Sequence, residues 1–484
     1  MKTAGCDLHK PPLGSLIGGM DTQPINAAKP QLSKLAAFRQ ATYTCFLKAG
    51  DVLFETIDAL LLSPHLTSFP ELSGVPVFRR QWPSLYEGLE DGKVDQAKLL
   101  ETLIEQLPES ERPVLVGDHT TWARAQARTL KDRSFQHQPT PIKGQKPITI
   151  GHGYSTLGVV PEVTLADPEK TEQKSAGSWF LPLLHERIKS SETPAQKAAE
   201  QLKQVCQELD SRPLALYDSE YGSGVFLNLT AGLPCDLFFR VRPNRKLRRA
   251  PSYKGNGRRP LHGPVFRLGD PQTWGQADEE WEFADPKLGR VRIQRWNELH
   301  FEEAPKRIVT LFRIERLQAR GTRRDPRVVW LGYCGEEALP RHSAEWREYL
   351  NRFVIEHWYR FIKQSLNWTL PRLGTPEQSE LWSLLVILAY WQLWLARAVV
   401  ADSPRPWQKP QSELTPGRVQ QGIGGVLATI GTPASEPKPR GTAPGWPEGQ
   451  PRTKRTRYEV VKKGSKNNTK KATKQAVKVD KPPS

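Results

Sequence analysis

The segment YLNRFVIEHWYRFIK, residues 349–363, has polar side chains at helical spacing. They are Tyr349, Arg352, Glu356 and Lys363. An α-helix advances about 100° per residue, so these positions fall within an arc of roughly 60°, with apolar residues opposite. A carboxylate beside a guanidinium and an ammonium group can bind a cation and a phosphate. The same spacing is also typical of a solvent-exposed face with an i, i+4 ion pair between Arg352 and Glu356.

Two predicted strands end in a carboxylate: PVLVG leads into Asp118, and PLALY leads into Asp218. In α/β sheets ligands bind beyond the carboxyl ends of strands, so both aspartates and Glu356 can converge on divalent cations. Two such ions about 4 Å apart activate an attacking hydroxyl and stabilise the leaving oxygen of a phosphodiester. Glu220 is an additional acid that could compete with Asp218 as a ligand. Taken singly, each aspartate is more typical of a turn or a helix cap.

The segment matches the signature Tyr-x(2)-Arg-x(3)-Glu-x(6)-Lys at every spacing, and the chain resembles the DDE transposases of bacterial insertion sequences, of the family-4 and family-701 type. The resemblance implies an α/β fold with a ribonuclease-H-like core, interrupted by a β-rich insertion between the second aspartate and the glutamate. The long interval between Asp218 and Glu356 agrees with such an insertion.

The resemblance also implies roles for individual residues. Asp118, Asp218 and Glu356 would be catalytic and would hold two Mg²⁺ ions, with Mn²⁺ as a substitute. The residues that would bind DNA phosphates near the cleaved end are Tyr349, Arg352 and Lys363. A homodimer on paired DNA ends is implied, because two ends must be cut and joined together.

The expected activity is cleavage at insertion-sequence ends and joining of the 3′ hydroxyls to target DNA, without a nucleotide triphosphate. A metal-dependent nuclease without strand transfer and a non-catalytic nucleic-acid-binding protein with structural acids stay open as alternatives. No Walker loop, CxxC pair or Ser-His-Asp arrangement appears in the sequence. The expected location is the cytoplasm, in association with the nucleoid. We expect His119 to point to the opposite side of its strand from Asp118.

The charge favours a polyanionic partner, because 70 Lys and Arg face 52 Asp and Glu in 484 residues, a net charge of +18. One basic cluster, residues 240–259, contains no acid and predicts a hairpin along a DNA backbone, with Gly255 and Gly257 in its turn. A solvated loop is the alternative. Its cations are Arg240, Arg242, Arg245, Lys246, Arg248, Arg249, Lys254, Arg258 and Arg259.

Composition and periodicity divide the chain into seven parts. They are a flexible leader (1–32), an all-helical N-terminal DNA-binding domain (33–108), the first part of the catalytic core (109–241), the β-rich insertion (242–327), the second part of the core (328–401), a Pro/Gly-rich linker with one short helix (402–451) and a disordered basic tail (452–484). In the helical domain, Lys34, Arg39, Lys48, Arg79 and Arg80 either contact phosphates or line a solvated helix face.

Several features have a structural interpretation beside a functional one. The apolar segment 381–400 is long enough to span a bilayer, but its polar residues favour a helix buried in a large core, so no membrane partner is expected. Trp274, Trp281 and Trp296 suit core packing better than stacking on a flipped base. The five cysteines lack paired spacing, which predicts neither a zinc site nor disulfides.

Overall fold

A computed structural model describes most of the chain. The described residues are 29–137, 147–161, 179–253, 255, 257–285, 289–322, 326–337, 344–439, 445, 449–451 and 454–462. Most of the predicted leader and the tail beyond residue 462 therefore lie outside the described residues, as does Lys254.

Ten α-helices occur in the described part of the chain. They are α1 (Lys29–Thr44), α2 (Gly50–Leu62), α3 (Pro83–Asp91), α4 (Gln96–Ile104), α5 (Pro194–Glu208), α6 (Gly224–Leu229), α7 (Ala344–Leu350), α8 (Val354–Gln364), α9 (Pro376–Ala396) and α10 (Pro416–Ile430). Helix α9 begins with a capping box, in which Thr375 and Gln378 satisfy each other's backbone N–H groups, and with Pro376 in its first turn. Thr415 and Pro416 occupy the predicted start of α10.

Fourteen strands occur in the same described residues. They are β1 (Phe46–Lys48), β2 (Lys93–Val94), β3 (Val114–Ala123), β4 (Ser134–His137), β5 (Ile148–Val159), β6 (Leu181–Ile188), β7 (Leu214–Tyr217), β8 (Asp236–Val241), β9 (Lys246–Arg249), β10 (Val265–Arg267), β11 (Glu279–Asp285), β12 (Gly289–His300), β13 (Val309–Arg316) and β14 (Val328–Cys334). All except β1 and β2 belong to one large sheet, so the predicted mixed α/β class is confirmed.

The centre of the large sheet has the strand order β6, β5, β3, β7, β8. Strands β6, β5 and β3 are antiparallel neighbours, whereas β7 and β8 run parallel to β3. The chain reaches β7 from β6 through α5, which is a crossover connection between strands that run in the same direction. This arrangement is consistent with the ribonuclease-H-like core expected from the sequence.

The strands of the predicted insertion continue the same sheet. Strand β14 pairs with β8 on one side and with β13 on the other, and β12, β9 and β10 follow in order. Strand β11 pairs with β12. The segment is β-rich, as the sequence predicts, and a continuous hydrogen-bonded ladder joins it to the core.

The N-terminal helices share a core with the C-terminal ones. Helix α9 contacts α1, α2, α3, α10 and β6, and its side chains are almost all buried. By length and composition α9 qualifies as a membrane span, but 83% of its apolar window is buried inside the protein, which agrees with the predicted core helix. The expectation of an all-helical N-terminal region is wrong in one detail, because β1 and β2 form a small antiparallel pair there.

Three cations predicted to lie on the surface of this region form internal ion pairs instead. Arg39 is buried and donates to Asp58 at 2.7 Å. Arg79 donates to the buried Glu55 at 2.7 Å, and Arg80 pairs with the same carboxylate. None of the three lies on a freely solvated face, and phosphate contact stays a prediction. Their partners lie 19 to 25 positions away in sequence, which local periodicity does not reveal.

Part of the predicted disordered tail is docked on the sheet. The segment 454–462, called the strap below, donates from the Tyr458 N–H to the Arg128 carbonyl at 2.9 Å and from the Val461 N–H to the Arg133 carbonyl at 2.7 Å. Val461 also forms a parallel bridge with Ser134, at the start of β4. Disorder throughout the tail was predicted from composition, which does not register these backbone hydrogen bonds.

Candidate active site

The two predicted aspartates follow equivalent positions of neighbouring parallel strands. The expectation that both strands end at the carboxylate is wrong for Asp118, because β3 continues to Ala123, whereas β7 ends immediately before Asp218. Gly117 of β3 pairs with Tyr217 of β7, so Asp118 and Asp218 are the next residues along two adjacent strands. Adjacent strands lie about 4.8 Å apart, which places both carboxylates in one region at this edge of the ladder. Gly117 is required here, because a Cβ at this position would overlap the Tyr217 ring.

The signature segment is not one continuous helix. Helix α7 ends at Leu350, a 3₁₀ turn covers Asn351–Phe353, and α8 begins at Val354. The prediction of one continuous helix is therefore wrong. The Tyr349 ring is buried and packs edge-on against Phe238, yet its phenol stays within hydrogen-bonding reach of Arg352, so these two residues remain neighbours across the 3₁₀ turn.

Arg352 joins two of the predicted acids. Its guanidinium donates to Asp118 Oδ2 at 3.3 Å and to Glu356 Oε1 at 3.1 Å. Burial opposes its charge, but Tyr349 and the three carboxylates of Asp118, Asp218 and Glu356 outweigh that effect and raise the pKa of Arg352. One guanidinium thus lies within electrostatic reach of all three predicted acids. The Arg352–Glu356 pair is also the ion pair that helical spacing alone predicts.

The Asp118 carboxyl group is held in an environment that disfavours its charge. Burial raises the pKa of Asp118 to about 6; Arg352 opposes the rise, and the neighbouring Asp218 adds to it. Asp218 also raises the pKa of the buried Tyr349 phenol, where burial is the main cause. Two carboxylates that repel each other at a strand edge form a site suited to a bound cation.

Lys363, in α8, contacts β3 at a point farther along the strand than Arg352 does. Its Nζ donates to Thr120 Oγ1 at 2.7 Å, and Thr120 lies two residues beyond Asp118, on the same side of β3. Burial lowers the pKa of Lys363. Between these contacts, the Tyr359 hydroxyl donates to Thr156 Oγ1 at 2.8 Å. Helix α8 therefore lies across β3 and β5, with Arg352 near one end and Lys363 at the other.

His119 lies on the opposite side of β3 from Asp118, as expected. Its pairing partner Ser155 contacts α5, whereas Thr156, the partner of Asp118, contacts α8. The His119 Nδ1 lies 3.2 Å from the Tyr221 hydroxyl, and its Nε2 lies 3.8 Å from a carboxylate oxygen of Glu220. The loop after β7 brings both residues to the imidazole. Glu220 therefore stays near the site as a further acid.

Sequence reasoning missed two neighbours of the site. Tyr221 is fully buried; burial raises its pKa, and the charges of Asp118 and Asp218 add to the rise. Phe353 is 42% exposed, and the Arg352 guanidinium lies 5.1 Å from its ring centre. An exposed aromatic ring immediately before a buried apolar run is a weak sequence signal, and only the contact with Arg352 makes it notable.

Carboxylate oxygens are the ligands that a hard divalent cation prefers, but in this structure the Arg352 guanidinium lies between the carboxylates of Asp118 and Glu356. Within the residues that the structure describes, no three acidic, histidine or cysteine side chains are grouped closely enough to hold a metal ion. Glu356 is half-exposed and paired with Arg352. Of the three predicted ligands, it is the one that does not lie on the paired strands β3 and β7. Loading of this site would require the Arg352 guanidinium to leave Asp118 and Glu356.

The basic cluster of the insertion is partly neutralised by an acid from outside it. Glu302 accepts from Lys246 at 2.8 Å and also pairs with Arg248. Arg249 donates to the Trp274 carbonyl and lies over the Phe266 ring. The most exposed cations of the cluster are Arg242, Lys246, Arg258 and Arg259. Arg240 and Arg245 are half-buried, and Arg240 lies near enough to oppose the pKa rise of Tyr349.

Strand β9 pairs antiparallel with β10, and Gly255 and Gly257 in the connection have positive φ angles. The hairpin is larger than predicted, because β10 lies beyond the basic cluster 240–259. The insertion tryptophans pack in its core, as predicted. The Trp296 ring is buried, and Trp274 contacts Phe266, Trp296 and Trp330.

Comparison with known families decides the class of the protein. The sequence model of the DDE superfamily endonucleases matches residues 42–300, more than half of the chain. The chain belongs to this superfamily. No curated protein matches it.

As a DDE superfamily endonuclease, the protein is an enzyme of the nuclease or transposase type with DNA as its substrate, and members generally use divalent metals such as Mg²⁺. The matched residues include Asp118 and Asp218 and end before Glu356.

Proposed function

We propose that this DDE superfamily endonuclease is a transposase of the family-4 or family-701 type. It would cut DNA at the ends of an insertion sequence and join the freed 3′ hydroxyls to target DNA. The observation that supports this proposal best is the shared environment of Asp118, Asp218 and Glu356, whose three carboxylates all act on the buried Arg352. A structural set of acids would need no such convergence from three separate parts of the chain.

In this proposal the three carboxylates hold two divalent cations, which supply an activated hydroxyl nucleophile and stabilise the leaving oxygen. The protein's own groups bind and orient the DNA. Arg352 has the planar fork that suits a phosphate, and Lys363 provides a second cation along β3. Tyr349 is buried, so its part is to position Arg352, which lies 5.9 Å from its ring centre.

The exposed Phe353 ring lies beside the arginine that would bind the phosphate. A ring in that position can stack on a base next to the cleaved bond, because every base presents an aromatic face. The exposed cations Arg242, Arg258 and Arg259 of the insertion would contact the backbone of the bound DNA away from the cleavage site. Pairing of two DNA ends further implies a homodimer, and a cytoplasmic, nucleoid-associated location follows from the substrate.

The test is cleavage and joining in vitro. Full-length protein is incubated with Mg²⁺ and labelled DNA carrying the inverted repeats that flank the coding region, with a supercoiled plasmid as target and no ATP. We expect cleavage that leaves 3′ hydroxyls, joined products, and loss of both with EDTA or with Glu356→Gln. His357→Gln alters the adjacent exposed residue of α8 and is the matched control.

Each other result separates the alternatives. Cleavage without joined product supports a nuclease that lacks strand transfer. Cleavage that survives Glu356→Gln contradicts the assignment of the helix carboxylate. DNA binding without any metal-dependent cleavage supports the non-catalytic alternative.

A further inference from the structure

We infer that the strap (residues 454–462) and the loop after β3 (residues 124–133) together form a second surface for the DNA backbone, separate from the insertion hairpin. This inference rests on the proposed function for the path of the DNA from the active site, and otherwise only on DNA as the substrate. The surface lies at the β4 edge of the large sheet, whereas the hairpin lies at the β10 edge.

Backbone hydrogen bonds hold the strap, which leaves its side chains exposed. Besides the bonds from Tyr458 and Val461, the buried Arg133 donates from Nη2 to the Tyr458 carbonyl at 3.1 Å. Arg133 also donates to the carbonyls of Leu130 and Ala125, so it fixes the loop and the strap to each other. The side chains of the strap residues Lys454, Arg455, Arg457 and Lys462 remain exposed.

The two segments concentrate positive charge. Their exposed cations are Arg128, Lys131, Lys454, Arg455, Arg457 and Lys462. Their sequences contain two acids, Asp132 and Glu459, and Asp132 is already paired with Arg187. Like charges held close together on a fixed backbone repel one another unless a polyanion neutralises them.

Crowding of cations is also visible beneath the exposed layer. Burial lowers the pKa of Arg124, Tyr154 opposes that effect, and Arg372 and Arg133 lower it further. Arg124 uses its own donors on the carbonyls of Pro371 and Leu373, which are not anionic partners. The strap, the loop 124–133 and the residues beneath them therefore carry an excess of positive charge.

The surface continues the active site along one strand. Asp118, Thr120 and Trp122 lie on the same side of β3, and Arg124 follows at its end. Six residues of extended strand span about 20 Å, so Arg124, the first residue of the loop, lies about that far from Asp118. Lys363, bound to Thr120, provides a cation between the two. Trp122, between Thr120 and Arg124, is buried, so the DNA backbone would pass over the residues that cover it and meet the cations on either side of them.

Docking of the strap distinguishes this surface from a mobile basic tail. Cations held in place by a sheet edge lose less conformational entropy on binding than cations on a free chain. The cations of the sequence beyond residue 462 would add to this charge, starting from the docked end of the strap. We therefore expect the docked geometry to contribute to affinity as well as the charges themselves.

The experiment measures binding of the full chain to a short fluorescent duplex by anisotropy between about 50 and 200 mM KCl. Lys454→Gln, Arg455→Gln and Arg457→Gln are combined in one variant, which is expected to weaken binding and reduce the salt slope by about 2 to 3. A variant with Tyr458→Pro and Val461→Pro removes both docking N–H donors without changing the charge, and about tenfold weaker binding is expected.

Thr456→Pro is the matched control, because its N–H takes no part in the docking bonds given above, and binding as in the wild type is expected. A chain that ends at residue 462 keeps the strap and lacks the rest of the tail. In that chain the triple Gln substitution should still reduce the salt slope of DNA binding by about 2 to 3. Thermal unfolding of each variant verifies the fold. Hydroxyl-radical footprinting should show protection of the duplex lost in the triple Gln variant.

A wild-type salt slope in the triple Gln variant would overturn the DNA surface. Wild-type affinity in the double Pro variant would overturn the role of docking. These results do not depend on cleavage: a protein that fails to join DNA ends but shows the expected slopes retains the surface and loses only the proposed transposase activity.

Discussion

The guanidinium of Arg352 donates to Asp118 across 234 positions of sequence and ties α8 to the central strand of the sheet. The arginine is buried, and Asp118 is largely enclosed. Because the same guanidinium also holds Glu356, one side chain balances the charge of two predicted metal ligands.

Replacement of Arg352 by Ala should destabilise the fold. It leaves the Asp118 carboxylate enclosed without its cation, and breaking a buried pair costs roughly 3 kcal/mol. Urea unfolding with Mg²⁺ absent measures the loss. Arg360→Ala removes an exposed arginine of α8, the helix that follows the turn with Arg352, and should change stability little. Equal stability of the two variants would contradict the role given to Arg352.

Addition of Mg²⁺ should stabilise the Arg352→Ala variant more than the wild type. The cation would supply positive charge where the guanidinium is missing, and it would meet no competing group there. The shift in thermal midpoint with and without Mg²⁺ is the measurement. In Arg352→Ala combined with Glu356→Gln the shift should shrink. A larger shift in the wild type than in the single variant would argue against competition.

Acid should destabilise the protein through His185. Burial, aided by Lys363, lowers the pKa of His185 to about 3. Below about pH 6.5 the His185 imidazole binds a proton in the unfolded chain but not in the folded protein, so the free energy of unfolding falls as the pH decreases. The loss should reach roughly 3 kcal/mol between pH 6.5 and 4.5.

Urea unfolding across this pH range, with His185→Phe, tests the assignment. Phe retains contact with the Trp368 ring, whose centre is 4.7 Å away, and loses the hydrogen bond to Thr156 Oγ1. The variant should be less stable at pH 7 but less sensitive to acid. His357→Gln should keep the wild-type slope, and an unchanged slope in His185→Phe would exclude His185 as the cause.

Arg39→Met should cost roughly 3 to 5 kcal/mol of stability, because Asp58 would stay buried without its partner. Lys34→Met alters an exposed position of the same helix and should be nearly neutral. Chemical unfolding gives both values. If Arg39 contacted phosphates instead, the variant would keep its stability and lose DNA affinity.

Two arginines of the insertion should behave differently. Arg258→Gln removes an exposed cation and should lower the salt slope of DNA binding by about 1 at unchanged stability. Arg248→Gln removes a partner of Glu302, so it should affect stability more than the slope. The same anisotropy titration, with thermal unfolding alongside, separates them. Identical effects of the two variants would show that the cluster acts as one uniform surface.

The strands that carry the aspartates could be predicted from sequence because their signal is local. A run of apolar residues that ends in a carboxylate marks both Asp118 and Asp218, and the helix before β7 indicates that part of the sheet is parallel. The meeting of Arg352 with Asp118 was not predicted, since nothing in local spacing connects α8 to a strand more than two hundred positions earlier.

Other errors have the same physical origin. The break at Asn351–Phe353 interrupts the helical period without a glycine or proline to mark it. Glu302 neutralises a cluster that is free of acids in sequence but not in space. The strap binds through its backbone, which composition does not describe.

Strand β14 lies between β8 and β13, so the hairpin and the strand that ends at Asp218 belong to one ladder. Paired backbone therefore connects the hairpin to the strand that precedes Asp218 without a loop between them. DNA bound at the hairpin would therefore be held at a fixed distance from the carboxylates, and this distance would set how far the bound sequence lies from the cleaved bond.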